Sequence, residues 1–123
     1  MQKKPDIYNP NCPTRLILDR IADKWTVLII GQLSSGTFRF NELKRSIPGI
    51  TQKMLTQTLK GLERDGIVIR EIYATIPPKV EYTLTKMGKS LINVVEAIRE
   101  WAESHIKNIL QSQTKYDSKS KNA

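Results

Sequence analysis

Cys12 is the single thiol and His105 the single imidazole in a chain of 123 residues. These are the two side chain types best suited to nucleophilic or proton-transfer chemistry near neutral pH. They stand far apart in the chain, and neither a Gly-rich phosphate loop nor a carboxylate-rich cluster accompanies them. The sequence therefore argues against a hydrolase or redox enzyme and points to no catalytic residue. No Cys/His cluster has zinc-ligand spacing, so neither a metal nor a cofactor is expected. Cys12 precedes Pro13 at an expected helix start, where the helix dipole and Arg15 favour thiolate. Two roles stay open for it: a thiol sensor meeting a small electrophile or oxidant, or a small buried hydrophobe. With no second cysteine, a disulfide could join only two subunits or a small thiol.

The other chemistry-bearing group lies in GITQKMLTQTLKGLERDG, residues 49–66. At about 100° per residue, Met54, Leu55, Thr58, Leu59, Gly61 and Leu62 share one arc. Lys53, Thr56, Gln57, Lys60 and Arg64 share the other, with Gln52 at its edge. Amides, hydroxyls and cations together suit a nucleic acid: Gln pairs with adenine, Lys reaches guanine, and a threonine methyl meets that of thymine. Phosphates accept from Lys, Arg, Thr and helix N-termini. The competing reading is an ordinary solvated face. Gly61 serves either close helix packing or nothing beyond weakening the helix.

The elements that must hold this face follow from periodicity and punctuation. Pro13 opens a first helix marked by Leu16, Ile17, Ile21 and Ala22. Asp23 caps a second, Lys24 to Leu33, closed by Ser34-Ser35-Gly36-Thr37. Phe40, Leu43 and Ile47 mark a third of about two turns, entered from Arg39 or Phe40, and Trp25 and Phe40 are expected in the core. Ile47-Pro48-Gly49-Ile50 breaks that helix before Thr51 caps the fourth, residues 51–65. Two helices joined by such a turn form a helix-turn-helix. Residues 67–84 then read as a β-hairpin, a wing with Pro77-Pro78 at its tip. Thr75 and Lys79 flank the tip, where they either touch phosphate or minor groove or are simply solvated. Arg39 either meets the backbone or anchors the third helix through a salt bridge.

A last helix is expected over 85–110, roughly 39 Å long, with one stripe that includes Val94, Val95, Ile98, Trp101, Ala102, Ile106 and Ile109. It outruns the small globule before it, so a second copy is the simplest cover, making a two-fold homodimer. The alternative is folding back on its own domain. His105 is then a partly buried side chain of the dimer helix. The fold class is mainly α with a small β-hairpin (α+β). Residues 1–11 read as a flexible lead, 12–110 as one domain, and 111–123 as a disordered polar tail.

Twenty Lys+Arg against twelve Asp+Glu give a net charge of +8, which favours anionic partners. No apolar run approaches the ~20 residues of a membrane span. The start of the chain lacks the apolar segment of a signal peptide, so a cytoplasmic location is expected. Membrane-surface binding is disfavoured by Glu96, Glu100 and Glu103 on the amphipathic long helix.

Cys12-Pro13, Asp23-Lys24-Trp25-Thr26, Arg39-Phe40-Asn41-Glu42-Leu43, Ile47-Pro48-Gly49-Ile50-Thr51, Leu62-Glu63-Arg64-Asp65-Gly66, Pro77-Pro78-Lys79-Val80-Glu81-Tyr82 and Leu84-Thr85-Lys86-Met87-Gly88 occur in unbroken order. This string resembles that of the HxlR-type bacterial transcription regulators over about residues 12–101. Asp23 departs from it, since the family more often has glycine before Lys-Trp-Thr. The resemblance implies a homodimeric winged helix-turn-helix with a long C-terminal dimerisation helix, without enzymatic activity, that represses or activates genes. Its partner would be double-stranded DNA carrying a pseudo-palindromic operator. Some relatives sense electrophiles or oxidants through the cysteine aligned with Cys12. A winged helix that binds RNA or a protein is the alternative. In the DNA reading, Gln52, Lys53, Thr56 and Gln57 meet bases or nearby phosphates, while Lys60 and Arg64 meet the backbone. Thr51 contributes at the helix N-terminus, with Arg39, Thr75 and Lys79 as lesser contacts.

Overall fold

The computed structural model describes residues 4–121. In chain order, α1 is Pro13–Ile21, α2 Lys24–Leu33, β1 Phe38–Arg39, α3 Phe40–Ser46 and α4 Gln52–Arg64; β2 is Val68–Tyr73, β3 Lys79–Leu84, α5 Lys86–Lys89 and α6 Ile92–Lys121. The chain divides after Ile92 into a compact winged unit and a helical unit.

Capping chemistry sets the helix starts of the winged unit. Pro13 occupies the first turn of α1. The Asp23 carboxylate accepts the N–H groups of Trp25 and Thr26, so the residue that departs from the family pattern is a working N-cap for α2. Glu42 accepts the N–H of Arg39 at 2.8 Å and holds the start of α3. The Thr51 hydroxyl accepts the N–H of Met54 at 3.1 Å, and α4 ends at Asp65 before Gly66, whose φ of 75° suits glycine.

The core gathers Ile29, Ile30 and Leu33 of α2, Leu43 of α3, Leu55, Leu59 and Leu62 of α4, and Val68, Tyr82 and Leu84 of the sheet. Burial of each such aliphatic side chain contributes about 1.5–3 kcal/mol. Trp25 and Phe40, expected inside, are half-buried at the margin, because α2 and α3 fill the centre with smaller branched side chains.

Three elements differ from the expectations. The hairpin gains a third strand, and the order is β1-β3-β2, all antiparallel, with Phe38 opposite Tyr82 and Arg39 opposite Glu81. A two-residue strand has no alternation to read, so only the ladder reveals β1. The long C-terminal helix is not continuous from residue 85, since Thr85 caps the one-turn α5 and α6 begins at Ile92 after a turn at Ser90-Leu91. Met87 therefore lies on α5, apart from the long helix. Finally, α6 runs on to Lys121, so residues 111–121 are helical where a disordered tail was expected; residues 122–123 lie outside the described residues. The lead carries turns, with Asn9 N–H donating to Asp6 O and Cys12 N–H to Asn9 O, while residues 1–3 of it lie outside the described residues. Among the described residues no helix is long and apolar enough to cross a membrane.

A tight knot accounts for the short α5. Thr85 N–H donates to the Ile67 carbonyl at 3.0 Å, and the Thr85 hydroxyl donates to the Gly66 carbonyl at 2.7 Å. The Thr85 oxygen accepts the N–H of Gly88, which is buried with its Cα against the Ile67 carbonyl oxygen. A methyl at residue 88 would collide with main chain. Gly88→Ala should lower stability by about 1–3 kcal/mol in chemical denaturation, as overpacking does. An unchanged midpoint would show that the contact yields freely.

Candidate nucleic-acid interface

The face of α4 is settled by its buried side. Leu55, Leu59 and Leu62 are 0%, 2% and 0% exposed, and the Thr58 hydroxyl donates to the Met54 carbonyl at 2.8 Å. Gln52, Lys53, Gln57, Lys60 and Arg64 are exposed on the opposite side. Among the described residues none of these three cations is in an ion pair. Thr56 differs: it is half-buried, on the flank facing the sheet. Thr51 accepts one N–H at the cap, which leaves its hydroxyl proton for a ligand.

On the other flank, Gln57 and Arg64 border a groove of about 750 Å³ between α1 and α4, with Leu16 and Ile17 on its far wall. The C-terminal end of α4 is tied down there. Arg20 Nε donates to Asp65 Oδ2 at 2.7 Å in a partly buried pair. The Arg20 guanidinium crosses the space that a Cβ on Gly61 would occupy. Gly61 thus admits a side chain from α1 and is not merely a weak helix residue.

The polar groups of both wing residues find partners within the wing. Lys79 pairs with Glu81 at 3.6 Å and lies 4.7 Å above the Tyr73 ring, while the Thr75 hydroxyl donates to the Pro77 carbonyl at 2.8 Å. Tyr73 in turn donates to Glu71, and that hydrogen bond holds its phenol above the usual range. Arg39 is exposed and, among the described residues, in no ion pair, so the anchoring salt bridge considered for it is not formed. The sequence reading missed Arg70. It sits on β2 opposite Tyr82 and borders the same cleft as Thr56 and Lys60. Its place inside IVIREIY hid it, although alternation with Val68 and Ile72 puts all three on one face.

Cys12 is the N-cap residue of α1 and is half-buried. Its Sγ stands 3.2 Å from Thr14 Oγ1 and accepts the N–H of Asp6 at 3.4 Å. Hydrogen bonding to the Thr14 hydroxyl, then to the backbone N–H groups of Asp6 and Thr14, brings the thiol below its ordinary pKa against partial burial and the Asp6 carboxylate. Arg15, the cation expected to do this, reaches instead toward the Tyr8 carbonyl.

In the helical unit, Val94, Ile98, Trp101, Ala102 and Ile106 are exposed on α6, with Ile109 half-buried. Val95, on the same helix, is buried. His105 is also exposed, stacked on Trp101 at 4.5 Å between centroids with Nδ1 2.8 Å from the Trp101 carbonyl. Arg99 pairs with both Glu96 and Glu103, and its hydrogen bond holds the Glu96 carboxyl below the usual range.

A helix-turn-helix whose second helix is exposed and basic, followed by a β-ribbon, defines a winged helix-turn-helix. Comparison with known proteins narrows the class. The HxlR-like helix-turn-helix family model matches residues 20–110, and the chain belongs to that family of DNA-binding transcription regulators. It is 46% identical over 115 residues to the HTH-type transcriptional regulator YybR of Bacillus subtilis (strain 168), covering 91% of this chain and 90% of that one. The solved structure of ytfH from Salmonella typhimurium superposes with a TM-score of 0.84 at 36% identity, covering 90% of this chain and 99% of the other. The redox regulator HypR in its oxidized form gives 0.70 at 48% identity over 76% of this chain and 96% of its own.

Two outcomes follow. Thr14→Val should move the pH midpoint of Cys12 alkylation by iodoacetamide upward, because it removes the largest influence favouring thiolate; an unmoved profile would remove Thr14 from the account. Asp65→Ala should lower the stability of the winged unit by about 1 kcal/mol in denaturant titration.

Proposed function

We propose that this chain is a homodimeric regulator that reads a pseudo-palindromic operator with two copies of α4 and responds to oxidants or electrophiles through Cys12. The observation that carries the reading is the outer face of α4, where Gln52, Lys53, Gln57, Lys60 and Arg64 stand exposed without an ion-pair partner among the described residues. In the major groove Gln52, Lys53 and Gln57 make base-edge contacts, while Lys60, Arg64, Arg39 and the Thr51 end of the helix hold phosphates. Thr75 and Lys79 rank lower, since their polar groups are engaged within the wing.

Dimer formation is supported by the exposed side chains of α6. Val94, Ile98, Trp101 and Ile106 form part of an apolar stripe along 30 helical residues, roughly 45 Å. A second α6 laid against it would cover both stripes at once. A two-fold operator read by both copies requires two α4 helices about one helical turn of DNA apart, roughly 34–36 Å.

The redox arm rests on the lowered thiol pKa and on likeness to a regulator described as a redox regulator. The reaction is disulfide formation: Cys12 and the partner subunit's equivalent thiol, or a small thiol, together lose two electrons and two protons to the oxidant. Release of DNA would follow if the bond shifts α1 and alters the spacing of the reading helices.

Gln57→Ala should cost about 1–3 kcal/mol on a selected genomic fragment and flatten discrimination against random duplex. Binding and discrimination equal to wild type would sink the assignment. Cys12→Ser should abolish the diamide response in a mobility-shift titration while leaving basal DNA binding intact; a normal response would place the switch elsewhere.

A further inference from the structure

Between α4 and the sheet lies a small open cleft of about 220 Å³ lined by Thr56, Lys60, Glu63 and Arg70 over a floor of Phe40, Leu59 and Tyr82. The floor is firm, because Leu59 and Tyr82 belong to the core. Three different donors border the opening: a half-buried hydroxyl on α4, an ammonium one turn further along, and a guanidinium on β2. Among the described residues, neither Lys60 nor Arg70 is in an ion pair. With Glu63 counted, the lining carries a surplus of one positive charge, matched by the single negative charge of a phosphodiester.

We propose that this cleft seats one backbone phosphate of the bound duplex, held jointly by Thr56, Lys60 and Arg70. The proposal rests on the DNA-binding reading above and adds to it. Thr56, which the sequence placed at bases or nearby phosphates, becomes a phosphate ligand, and sequence choice stays with Gln57 and its neighbours nearer the helix start. The guanidinium supplies a planar fork of N–H donors suited to two phosphate oxygens, the hydroxyl adds a third donor, and Lys60 contributes a point charge. Because Thr56 and Lys60 ride on α4 while Arg70 rides on β2, a phosphate held by all three locks the depth of the reading helix against the wing. Such a contact fixes register without carrying sequence information. Glu63 opposes the anion, which sets a ceiling on the strength of this seat and keeps it from holding DNA without the base contacts.

Wild-type protein and the variants Arg70→Ala, Thr56→Val and Glu63→Gln would be titrated with a genomic fragment selected for wild-type binding and with a random-sequence duplex, across a salt series. Thermal melts of each variant report folding separately. Arg70→Ala should weaken both duplexes by the same several-fold factor and reduce the salt slope by about 1. Thr56→Val should weaken both duplexes without changing their ratio, and Glu63→Gln should tighten both. If Arg70→Ala kept the wild-type salt slope, or Thr56→Val relaxed the preference for the selected fragment, the phosphate seat would be wrong even with Gln57→Ala behaving as a reading-helix variant. If wild type selected no genomic fragment and did not bind the random duplex, the DNA-binding reading itself would fall. Inorganic phosphate at matched ionic strength that raised the melting temperature of wild type but not of Arg70→Ala, with duplex binding equal in both, would assign the cleft to a free anion and overturn the proposal.

Discussion

The burial of Leu55, Leu59 and Leu62 on one side of α4 is the constraint from which the functional geometry follows. These side chains recur at intervals of three and four, so a helix can present all of them to the core in only one rotation. Turning α4 by a single residue would expose leucine and press Lys60 or Gln57 toward an apolar interior. Each misplaced leucine would cost about 1.5–3 kcal/mol before the penalty for a buried polar group is added. The Thr51 cap and the positive φ of Gly66 fix both ends of the helix in the chain. The polar face is therefore oriented by the apolar one.

The wing is attached to this helix through very few residues, and each is chemically specific. Ile67 N–H donates to the Leu62 carbonyl, while the Ile67 carbonyl accepts the N–H of Thr85. The Thr85 hydroxyl reaches back to Gly66, and Gly88 lets α5 approach the same stretch of main chain. Helix, ribbon and following turn thus meet at one knot of backbone hydrogen bonds. Side chains could not achieve it, since anything larger than glycine at residue 88 would hold the segments apart.

Most element boundaries were legible because local chemistry marks them: Asp23, Thr51 and Thr85 as caps, Pro48-Gly49 and Gly66 as breaks, Val80-Tyr82-Leu84 as alternation. The solvent-facing side of α4 was legible for the same reason. Arg70 and the strand β1 were not, because each acquires meaning from what lies across the ladder: Arg70 from the cleft beside Tyr82, Phe38 from its pairing with that same residue. Thr14 escaped notice as well. The charge of Arg15 suggested a cause for a reactive Cys12, but a hydroxyl close to sulfur outweighs a guanidinium turned toward Tyr8. The extension of α6 to Lys121 runs against a polar composition that suggested disorder, and composition alone carries no helical period to mark it.

By itself the sequence determined which residues make helices, which side of α4 is apolar, and that amides and cations share its other side. Those outcomes depend on period, capping and turn chemistry, all of which act over a few residues. The tertiary structure decided how that polar side divides: Gln57 toward the groove of α1, Thr56 and Lys60 toward Arg70 and the sheet. It also paired Lys79 with Glu81 and tied the Thr75 hydroxyl to the Pro77 carbonyl within the wing. Such outcomes depend on which distant side chains share a space, and spacing along the chain carries no record of that.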